Sequence, residues 1–442
     1  MPAEYRITGR RAAEIAADVE RAVATGSLTP GARLPAMRDL AGELGVNPNT
    51  VAAAYRTLRE RGVIETDGRR GSRIRARPVT TPRDQLRIEV PAGARDLSRG
   101  NPDPALLPDL RPALAAAGRR YAESPTLYGS EPVAPELAEL ARARLAADGV
   151  PHGPLAVTSG ALDAIERVLT AHLRPGDAVA VEDPGWGSVL DLLPALGLTA
   201  IPVGLDDDGP LAEDVARALA AGARALVVTA RAQNPTGARV SAARAAELRA
   251  LLAAHPEVLL VEDDHGDGFV AEPLNPLGGA GRHWALIRST AKAHGPDLRL
   301  AVLTGDPATL DLVRGRQRLG PGWVSRLLQD AVVELWRSGA VGPKVARVYD
   351  ERRTALLDAL AARGVRAQGR SGLNVWVPVP DETAAVTRLL LAGWGVAPGA
   401  RFRLASPPAV RITHAALGPE EVPALADAVA AALRPGSGAR TV

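Results

Sequence analysis

The stretch VLLVEDDH, residues 258–265, places three carboxylates and a histidine directly after four apolar residues. A short apolar run of this kind indicates a strand buried on both faces. Three adjacent carboxylates at a strand end repel one another, so a partner cation is expected beside them. One histidine next to carboxylates is a poor metal signature without further ligands, and we therefore predict no metal site.

Runs with the same strand-like character flank this stretch on both sides. They lie at Leu155–Thr158, Ala178–Val181, Ala225–Val228, Ala285–Ile287 and Leu300–Leu303, with helical runs such as Ala161–Leu173 and Ala242–Ala254 between them. Strands that alternate with helices indicate an α/β body around a mostly parallel sheet. After about residue 340 the order becomes helix, strand (Asn374–Pro378), helix, strand (Val410–Thr413), helix. This order predicts a small α+β C-terminal lobe.

Ligands of such sheets bind beyond the carboxyl ends of the strands, and these ends carry the chemically unusual residues. The positions concerned are Gly160, Ala161, Trp186, Asn234, Asp263, Ser289, Lys292 and Arg299. Each of them alone also fits an ordinary turn, a core position or a surface position. Together they supply phosphate donors, an aromatic ring, an amide, a carboxylate, an amine and a guanidinium. Pyridoxal 5′-phosphate requires this set, because it has an aldehyde, a phosphate and a pyridine nitrogen to satisfy.

Lysine is scarce in this chain, and the only two lysines are Lys292 and Lys344. Lys292 follows a predicted strand end in polar company, which makes it the candidate Schiff-base former. Lys344, in Gly-Pro-Lys, fits a surface lysine better. The chain has no cysteine, which excludes disulfides, thiolate metal sites and a cysteine nucleophile.

The N-terminal block is basic. Residues 1–78 hold 14 Arg against 9 acidic residues, a net charge of +5, whereas the remainder carries −2 of the total of +3. The sequence predicts helices over residues 10–25, after Pro35 and from Asn47, followed by short strands at 63–65 and 73–75. Helix, turn, helix and a basic hairpin indicate a winged helix-turn-helix that binds DNA. A small solvated helical bundle is the alternative.

The polar start of the third helix is the part of this block best suited to read DNA. Asn47, Asn49 and Thr50 are short polar residues that can reach phosphates or base edges in the major groove. The hairpin carries Arg69, Arg70 and Arg73 toward the DNA backbone or the minor groove.

The stretches GARLPAMRDLA (31–41), GVNPNTV (45–51) and LRERGVI (58–64) resemble the GntR-type DNA-binding domain. That resemblance covers about residues 8–77. It implies DNA contacts from Arg38, Asn47, Asn49, Thr50, Gly68 and Arg69.

The order of the strand-end residues resembles the fold-type I aminotransferases over residues 96–435 or so, and the whole chain resembles the MocR-type regulators. The resemblance implies an internal aldimine of the cofactor on Lys292, which would be the catalytic lysine of an enzyme. It implies Asp263 on the pyridine nitrogen, Asn234 on the ring 3-oxygen and Trp186 stacked on the ring. The phosphate would be held by Gly160, Ala161, Ser289 and Arg299. Tyr128 would reach the phosphate of the partner subunit of a homodimer, and Arg411 would bind a substrate or effector carboxylate.

His265 stands where most relatives have a tyrosine that bonds the ring oxygen, and histidine there adds a titration near neutral pH. The resemblance links a branch with this histidine to vitamin B6 metabolism. It implies a transcriptional regulator that responds to pyridoxal phosphate, or to an amine condensed with it, on promoter DNA. The alternative is an active aminotransferase with an accessory DNA-binding domain. A third possibility is a body that serves only for dimerisation.

The expected organisation is a mostly α winged helix-turn-helix (1–77), a linker (78–96), an aminotransferase-like large domain (97–340), a small lobe (341–436) and a tail (437–442). Residues 76–96 contain three prolines and no convincing period, as in a linker. No apolar run approaches the roughly 18 residues of a membrane span. The N-terminus is charged where a signal peptide would be apolar, so we expect a cytoplasmic protein.

Overall fold

The computed structural model describes residues 5–24, 27–29, 31–60, 63–66, 71–74, 83, 89–339 and 341–434. The chain forms two compact units, an N-terminal unit and a larger body, which are described separately. The predictions for Gly68, Arg69 and Arg70, and for most of the linker, lie outside the described residues. No helix in the described ranges is long and apolar enough to cross a bilayer.

The N-terminal unit has the predicted order of a winged helix-turn-helix. Its helices are α1 (Ala12–Ala24), α2 (Met37–Leu44) and α3 (Pro48–Glu60), and its hairpin consists of β1 (Ile64–Thr66) and β2 (Ser72–Ile74). The two strands are antiparallel and pair Ile64 with Ile74.

Two local features set the turn between α2 and α3. Gly45 ends α2 in the left-handed region with φ of 63°, a conformation that glycine adopts without strain. The Asn47 side chain then accepts a hydrogen bond from the Asn49 amide at 2.8 Å and caps α3. Helical spacing predicts Val51, Ala54, Tyr55 and Leu58 on the inner face of α3, and they are at most 2% exposed. The same spacing predicts Met37 on the apolar face of α2, but Met37 is 45% exposed.

The body is built on a seven-stranded sheet. The strands of the body before the C-terminal lobe, in this sheet and outside it, are β3 (Arg95–Asp96), β4 (Leu155–Thr158), β5 (Ala178–Glu182), β6 (Thr199–Val203), β7 (Leu205–Asp206), β8 (Gly209–Pro210), β9 (Ala223–Thr229), β10 (Leu259–Asp264), β11 (His283–Ser289) and β12 (Ala301–Gly305). The large sheet has the order β4-β12-β11-β10-β9-β5-β6. All six predicted strands are present, and β6 is an additional one.

The sequence predicts a mostly parallel sheet, but the sheet is mixed, because strands at one of its sides pair antiparallel. Strand β10 runs parallel to both β9 and β11, whereas β12 runs antiparallel to both β11 and β4. A parallel crossover needs about a dozen residues or more. The connection from Ser289 to Ala301 is too short to hold a full crossover helix, so the chain returns antiparallel. This short connection carries Lys292.

The helices of this part of the body are α4 (Arg111–Glu123), α5 (Pro135–Ala147), α6 (Ala161–His172), α7 (Gly187–Ala195), α8 (Ala212–Ala220), α9 (Ala242–Ala254), α10 (Ala291–His294), α11 (Pro307–Arg318) and α12 (Arg326–Ser338). The apolar sides of α4, α5, α8, α9 and α12 form a core with the sheet.

The C-terminal lobe has the predicted alternation and its own apolar core. It contains α13 (Pro343–Ala361), β13 (Asn374–Pro378), α14 (Glu382–Leu391), β14 (Trp394–Gly395), β15 (Ala397–Pro398), β16 (Ala409–Thr413) and α15 (Val422–Leu433). Strands β13, β16 and β15 form an antiparallel sheet, and β14 pairs in parallel with β3.

The expected partner cation of the carboxylates at the end of β10 is a pair of buried arginines. Asp264 is fully buried and accepts hydrogen bonds from Arg231 at 3.0 and 2.9 Å and from Arg288 at 3.0 Å. Burial alone raises the pKa of Asp264, but the two guanidinium groups lower it below its ordinary value. Arg288 also reaches Asp148, at 2.6 Å. Within the described residues no cluster of carboxylates and histidines suits a metal ion.

Replacing Asp264 with asparagine should strongly destabilise the body, because two buried guanidinium groups lose the carboxylate that they share. Breaking a buried pair by removing one partner costs about 3–5 kcal/mol. Urea denaturation followed by circular dichroism measures the effect. Asp109→Asn is the control, since its pair with Arg111 is exposed, and its midpoint should match that of the unsubstituted protein. An unchanged midpoint for Asp264→Asn would contradict this account of the network.

Candidate functional site

A cavity of about 300 Å³ opens at the carboxyl ends of the parallel strands. Nine predicted residues line it: Gly160, Ala161, Trp186, Asn234, Asp263, His265, Ser289, Lys292 and Arg299. A larger groove of about 1150 Å³ lies elsewhere in the body, beside Leu205 and Trp376, and holds none of the predicted residues. The smaller cavity is therefore the candidate site.

One wall of the cavity is suited to an anion. Gly160 lies between β4 and α6 with φ of 96°, and a Cβ there would come within 3.1 Å of the Arg299 guanidinium. Only glycine leaves this turn open in that conformation. The Arg299 guanidinium is fixed by a hydrogen bond to the Ser159 carbonyl at 3.0 Å. The amides that begin α6 and the guanidinium thus form a cradle of positive charge.

Lys292 lies on α10, one turn beyond the end of β11, and its side chain is half-buried at the cavity wall. Its Nζ donates a hydrogen bond to the Gly100 carbonyl at 2.7 Å. Lys344, the other lysine, is exposed at the start of α13. The structure therefore separates the two lysines as predicted, with only one amine at the cavity.

Asp263 points to the opposite face of β10 from Glu262 and Asp264, because side chains alternate along a strand. Its carboxylate is buried, and Oδ2 lies 2.9 Å from Nδ1 of His265. Its Oδ1 is also buried and has no hydrogen-bond partner among the described residues. A buried, unpartnered carboxylate oxygen at a cavity wall fits a ligand that carries a proton on nitrogen.

His265 lies in the cavity wall as predicted, at the position where most relatives have a tyrosine. Nδ1 faces Asp263, and Nε2 lies 2.8 Å from the Ala232 carbonyl. Burial lowers the pKa of His265, but the Asp263 carboxylate raises it more, so that the net pKa is above that of an ordinary histidine. Both ring nitrogens are already engaged by protein atoms.

Arg411 and Asn234 contact each other at the edge of the site. The Arg411 guanidinium donates to Asn234 Oδ1 at 2.9 Å and to the Ser98 carbonyl at 2.6 Å, and it stacks over Phe402 at 4.6 Å. Arg411 is only 3% exposed and is not itself part of the cavity lining.

Tyr128 does not line the cavity of its own chain. Its side chain is 93% exposed and packs edge-to-face on Trp323 at 5.6 Å. Its predicted role concerns a partner subunit and stays a prediction.

The sequence reasoning missed several groups around the cavity. Ser98 and Gly100 contribute carbonyl oxygens, Ala232 contributes a third, and Phe269 and Asn374 add side chains. Carbonyl groups have no signature in a sequence, since every residue has one. Ala232 has a positive φ of 55°. This conformation could not be predicted either, because the residue is not a glycine.

In the N-terminal unit, the predicted DNA contacts that fall on described residues lie on α2 and at the start of α3. Arg38, Asn47 and Asn49 are exposed, and Thr50 is half-buried. Arg73 of the hairpin is paired with Glu65 at 2.6 Å.

Comparison with protein families matches both units. Residues 94–429 match the model of aminotransferase class I and II, and residues 11–74 match the bacterial regulatory proteins of the gntR family. The chain belongs to the MocR-type transcriptional regulators. Its N-terminal unit is a GntR-type DNA-binding domain, and its body has the fold of a fold-type I aminotransferase.

Named regulators resemble the chain over most of its length. The vitamin B6 salvage pathway transcriptional repressor PtsJ of Salmonella typhimurium is 40% identical over 95% of this chain and 98% of its own. The pyridoxine biosynthesis transcriptional regulator PdxR of Corynebacterium glutamicum is 30% identical over 78% of each chain.

Among solved structures, the kynurenine aminotransferase of Pyrococcus horikoshii superposes with a TM-score of 0.69 at 21% identity, over 77% of this chain and 91% of its own. A mutant aspartate aminotransferase of Thermus thermophilus gives a TM-score of 0.68 at 26% identity, over 77% and 92%. These likenesses show that the body shares the aminotransferase fold.

Arg38→Ala should weaken binding to DNA of any sequence and lower the slope of log K against log salt by about 1, as expected for the loss of one phosphate contact. Fluorescence anisotropy with a labelled duplex at several salt concentrations measures both quantities. Arg347→Ala, which removes an exposed arginine of the body, is the control and should change neither. An unchanged slope in Arg38→Ala would remove this residue from the DNA interface.

Proposed function

We propose that this protein is a transcriptional regulator whose body binds pyridoxal 5′-phosphate through Lys292, and that occupancy of the body changes its affinity for promoter DNA. One observation carries the proposal. A cavity that gathers a primary amine, an unpartnered buried carboxylate oxygen and an anion cradle occurs in a chain that also has a DNA-binding domain.

The residues of the cavity fit this cofactor group by group. Asp263 Oδ1 would accept from the pyridine nitrogen, and the cradle of Gly160, Ala161, Ser289 and Arg299 would hold the phosphate. Trp186 would cover the ring, and Asn234 would donate to the ring oxygen. When bound, the cofactor supplies an aldehyde and an electron-withdrawing ring. Lys292 would hold the cofactor through its amine, the nucleophile that suits an aldehyde.

The regulated genes are proposed to belong to vitamin B6 metabolism. The names of the two regulators above refer to salvage and to biosynthesis of this vitamin. A regulator of that pathway has a direct use for a body that measures the cofactor itself, because the effector then reports the pathway's own product.

The contacts of Lys292 and Arg411 suggest how occupancy is transmitted. Both side chains bond carbonyls of residues 95–101, which we call the entry segment: Lys292 bonds Gly100, and Arg411 bonds Ser98. A ligand that takes up the amine or the guanidinium competes with these carbonyls. The entry segment follows the linker directly in the chain, so its displacement is passed to the DNA-binding domain. Ligand binding thereby shifts the population of domain arrangements.

The alternative function is an active aminotransferase with an accessory DNA-binding domain. Arg411 favours it, because a buried guanidinium near the amine suits the carboxylate of an amino acid. The regulator is preferred because a metabolic transaminase has no physical need for a DNA-binding domain.

We further propose that the protein acts as a homodimer. The exposed Leu127, Tyr128 and Leu319 offer apolar surface on the body, of the kind that a second subunit covers. Tyr128 would then contribute to the site of the other subunit.

Lys292→Ala should abolish the visible absorbance that the purified protein gains with pyridoxal phosphate and the effect of the cofactor on promoter binding. Lys344→Ala is the matched control, since it removes the only other lysine side chain, and it should keep both properties. Absorbance spectra and gel shifts on the DNA upstream of the chain's own gene, with and without cofactor, measure these outcomes.

A spectrum without a visible band in the unsubstituted protein would refute cofactor binding through Lys292. Retained cofactor binding without any effect on promoter affinity would refute the regulatory role. Sustained turnover of amino and keto acids in that case would establish the aminotransferase instead.

Addition of pyridoxal phosphate should speed amide hydrogen exchange in the entry segment, because the segment loses the hydrogen bond from Lys292. Gly100, whose amide donates to Thr413 at 3.1 Å, is the reporter. Helix α9 is the internal control and should not change. Mass spectrometry of peptides measures the exchange, and equal or slower exchange on cofactor addition would contradict the competition described above.

A further inference from the structure

We propose that His265 is a positioning residue that keeps the Asp263 carboxylate aimed at the pyridine nitrogen of the cofactor. This inference rests on the proposed function, and it assigns to His265 a task different from that of the tyrosine found in most relatives. The tyrosine bonds the ring oxygen, whereas His265 would act only through a carboxylate.

The contacts of the imidazole define this task. Nε2 lies 2.8 Å from the Ala232 carbonyl, and a carbonyl can only accept, so Nε2 carries a proton. Nδ1 lies 2.9 Å from Oδ2 of Asp263. An ionised carboxylate also only accepts, so Nδ1 donates as well. With both nitrogens protonated, the ring is an imidazolium paired with a carboxylate.

The pair is buried, which makes the contact strong and its loss costly. The side chains of His265 and Asp263 are 15% and 4% exposed. Lys292 also lines this cavity, and its positive charge opposes a charged imidazole. A charge-assisted hydrogen bond in such surroundings is about twice as strong as one between neutral groups.

The Ala232 carbonyl accepts from Nε2, and neighbouring residues fix the backbone at Ala232. The Ala232 amide donates to Ser371 Oγ at 2.9 Å, and Ala232 has a φ of 55°. Gly372 makes room for this conformation, since a Cβ there would come within 2.5 Å of the Ala232 Cβ. The Ala232 carbonyl is thus held in place, and it orients the imidazole toward Asp263.

The consequence concerns the free carboxylate oxygen. With Oδ2 held by His265, Oδ1 is the atom left without a partner among the described residues. It is then the acceptor for a protonated pyridine nitrogen. Since both nitrogens of His265 are occupied, the ring oxygen of the cofactor is left to Asn234.

The test compares the binding of two ligands to the unsubstituted protein and to two variants. The variants are His265→Phe, which removes both donors at similar size, and His265→Gln, which keeps a neutral donor. The ligands are pyridoxal phosphate and its carbocyclic analogue, which has CH in place of the ring nitrogen and keeps the aldehyde. Absorbance titration gives the dissociation constant of each pair, and the thermal midpoint of each protein checks its folding.

His265→Phe should bind pyridoxal phosphate about 10- to 100-fold more weakly, since hydrogen bonds to charged groups are worth about 1.5–3 kcal/mol. The analogue should bind this variant as well as, or better than, the unsubstituted protein, because its CH gains nothing from an ionised carboxylate. His265→Gln should fall between the two proteins for pyridoxal phosphate.

Equal weakening for both ligands would overturn the proposal, since His265 would then be merely structural. Unchanged affinity for pyridoxal phosphate in His265→Phe would overturn it as well. Failure of the proposed function has a different result, in which the unsubstituted protein binds neither ligand.

Discussion

The buried strand β10 ends in three successive carboxylates, and the fold of the body depends on how their charges are stabilised. The pleat of β10 resolves the problem by sending the carboxylates to two faces. Asp264 meets Arg231 and Arg288, and Glu262 accepts from the Leu277 amide. Burial raises the pKa of Glu262 to about 7. Asp263 alone faces the cavity. The charges that hold the strand in place therefore also isolate the one carboxylate that a ligand can use.

Residues with a side-chain signature could be predicted from the sequence, and residues that act through the backbone could not. Lys292, Asp263 and Arg299 are conspicuous at strand ends, and the cavity brings them together as expected. The carbonyls of Ser98, Gly100 and Ala232 organise the same cavity without any distinctive residue type. His265 shows the limit most clearly, because its position was predicted but its bonding partners were not.

In the fold, features that depend on local sequence could be predicted, and features that depend on long-range contacts could not. The predicted strands and helices of the body are present because their apolar runs are bounded by turns. Strand β6 was missed because Pro202 interrupts its pattern, and proline is tolerated there since β6 is at the edge of the sheet. The antiparallel course of β12 could not be predicted from apolar runs alone, because strand direction depends on where the chain returns.

The entry segment explains how an aminotransferase fold can serve a regulator with little change. It is anchored through the pairing of β3 with β14 and through the Leu97 amide, which donates to Gly395 at 2.7 Å. Beyond these anchors the Gly100 carbonyl accepts from Lys292 and the Ser98 carbonyl from Arg411, the two cationic groups that a ligand would engage under the proposed function. In an enzyme, movement of such a segment would only open or close the site. Here the linker joins the segment to a DNA-binding domain, so under the proposed function the same competition for hydrogen bonds would change DNA binding. A bias of a few kcal/mol between two arrangements is enough to change promoter occupancy, and the hydrogen bonds at Ser98 and Gly100 are of that order.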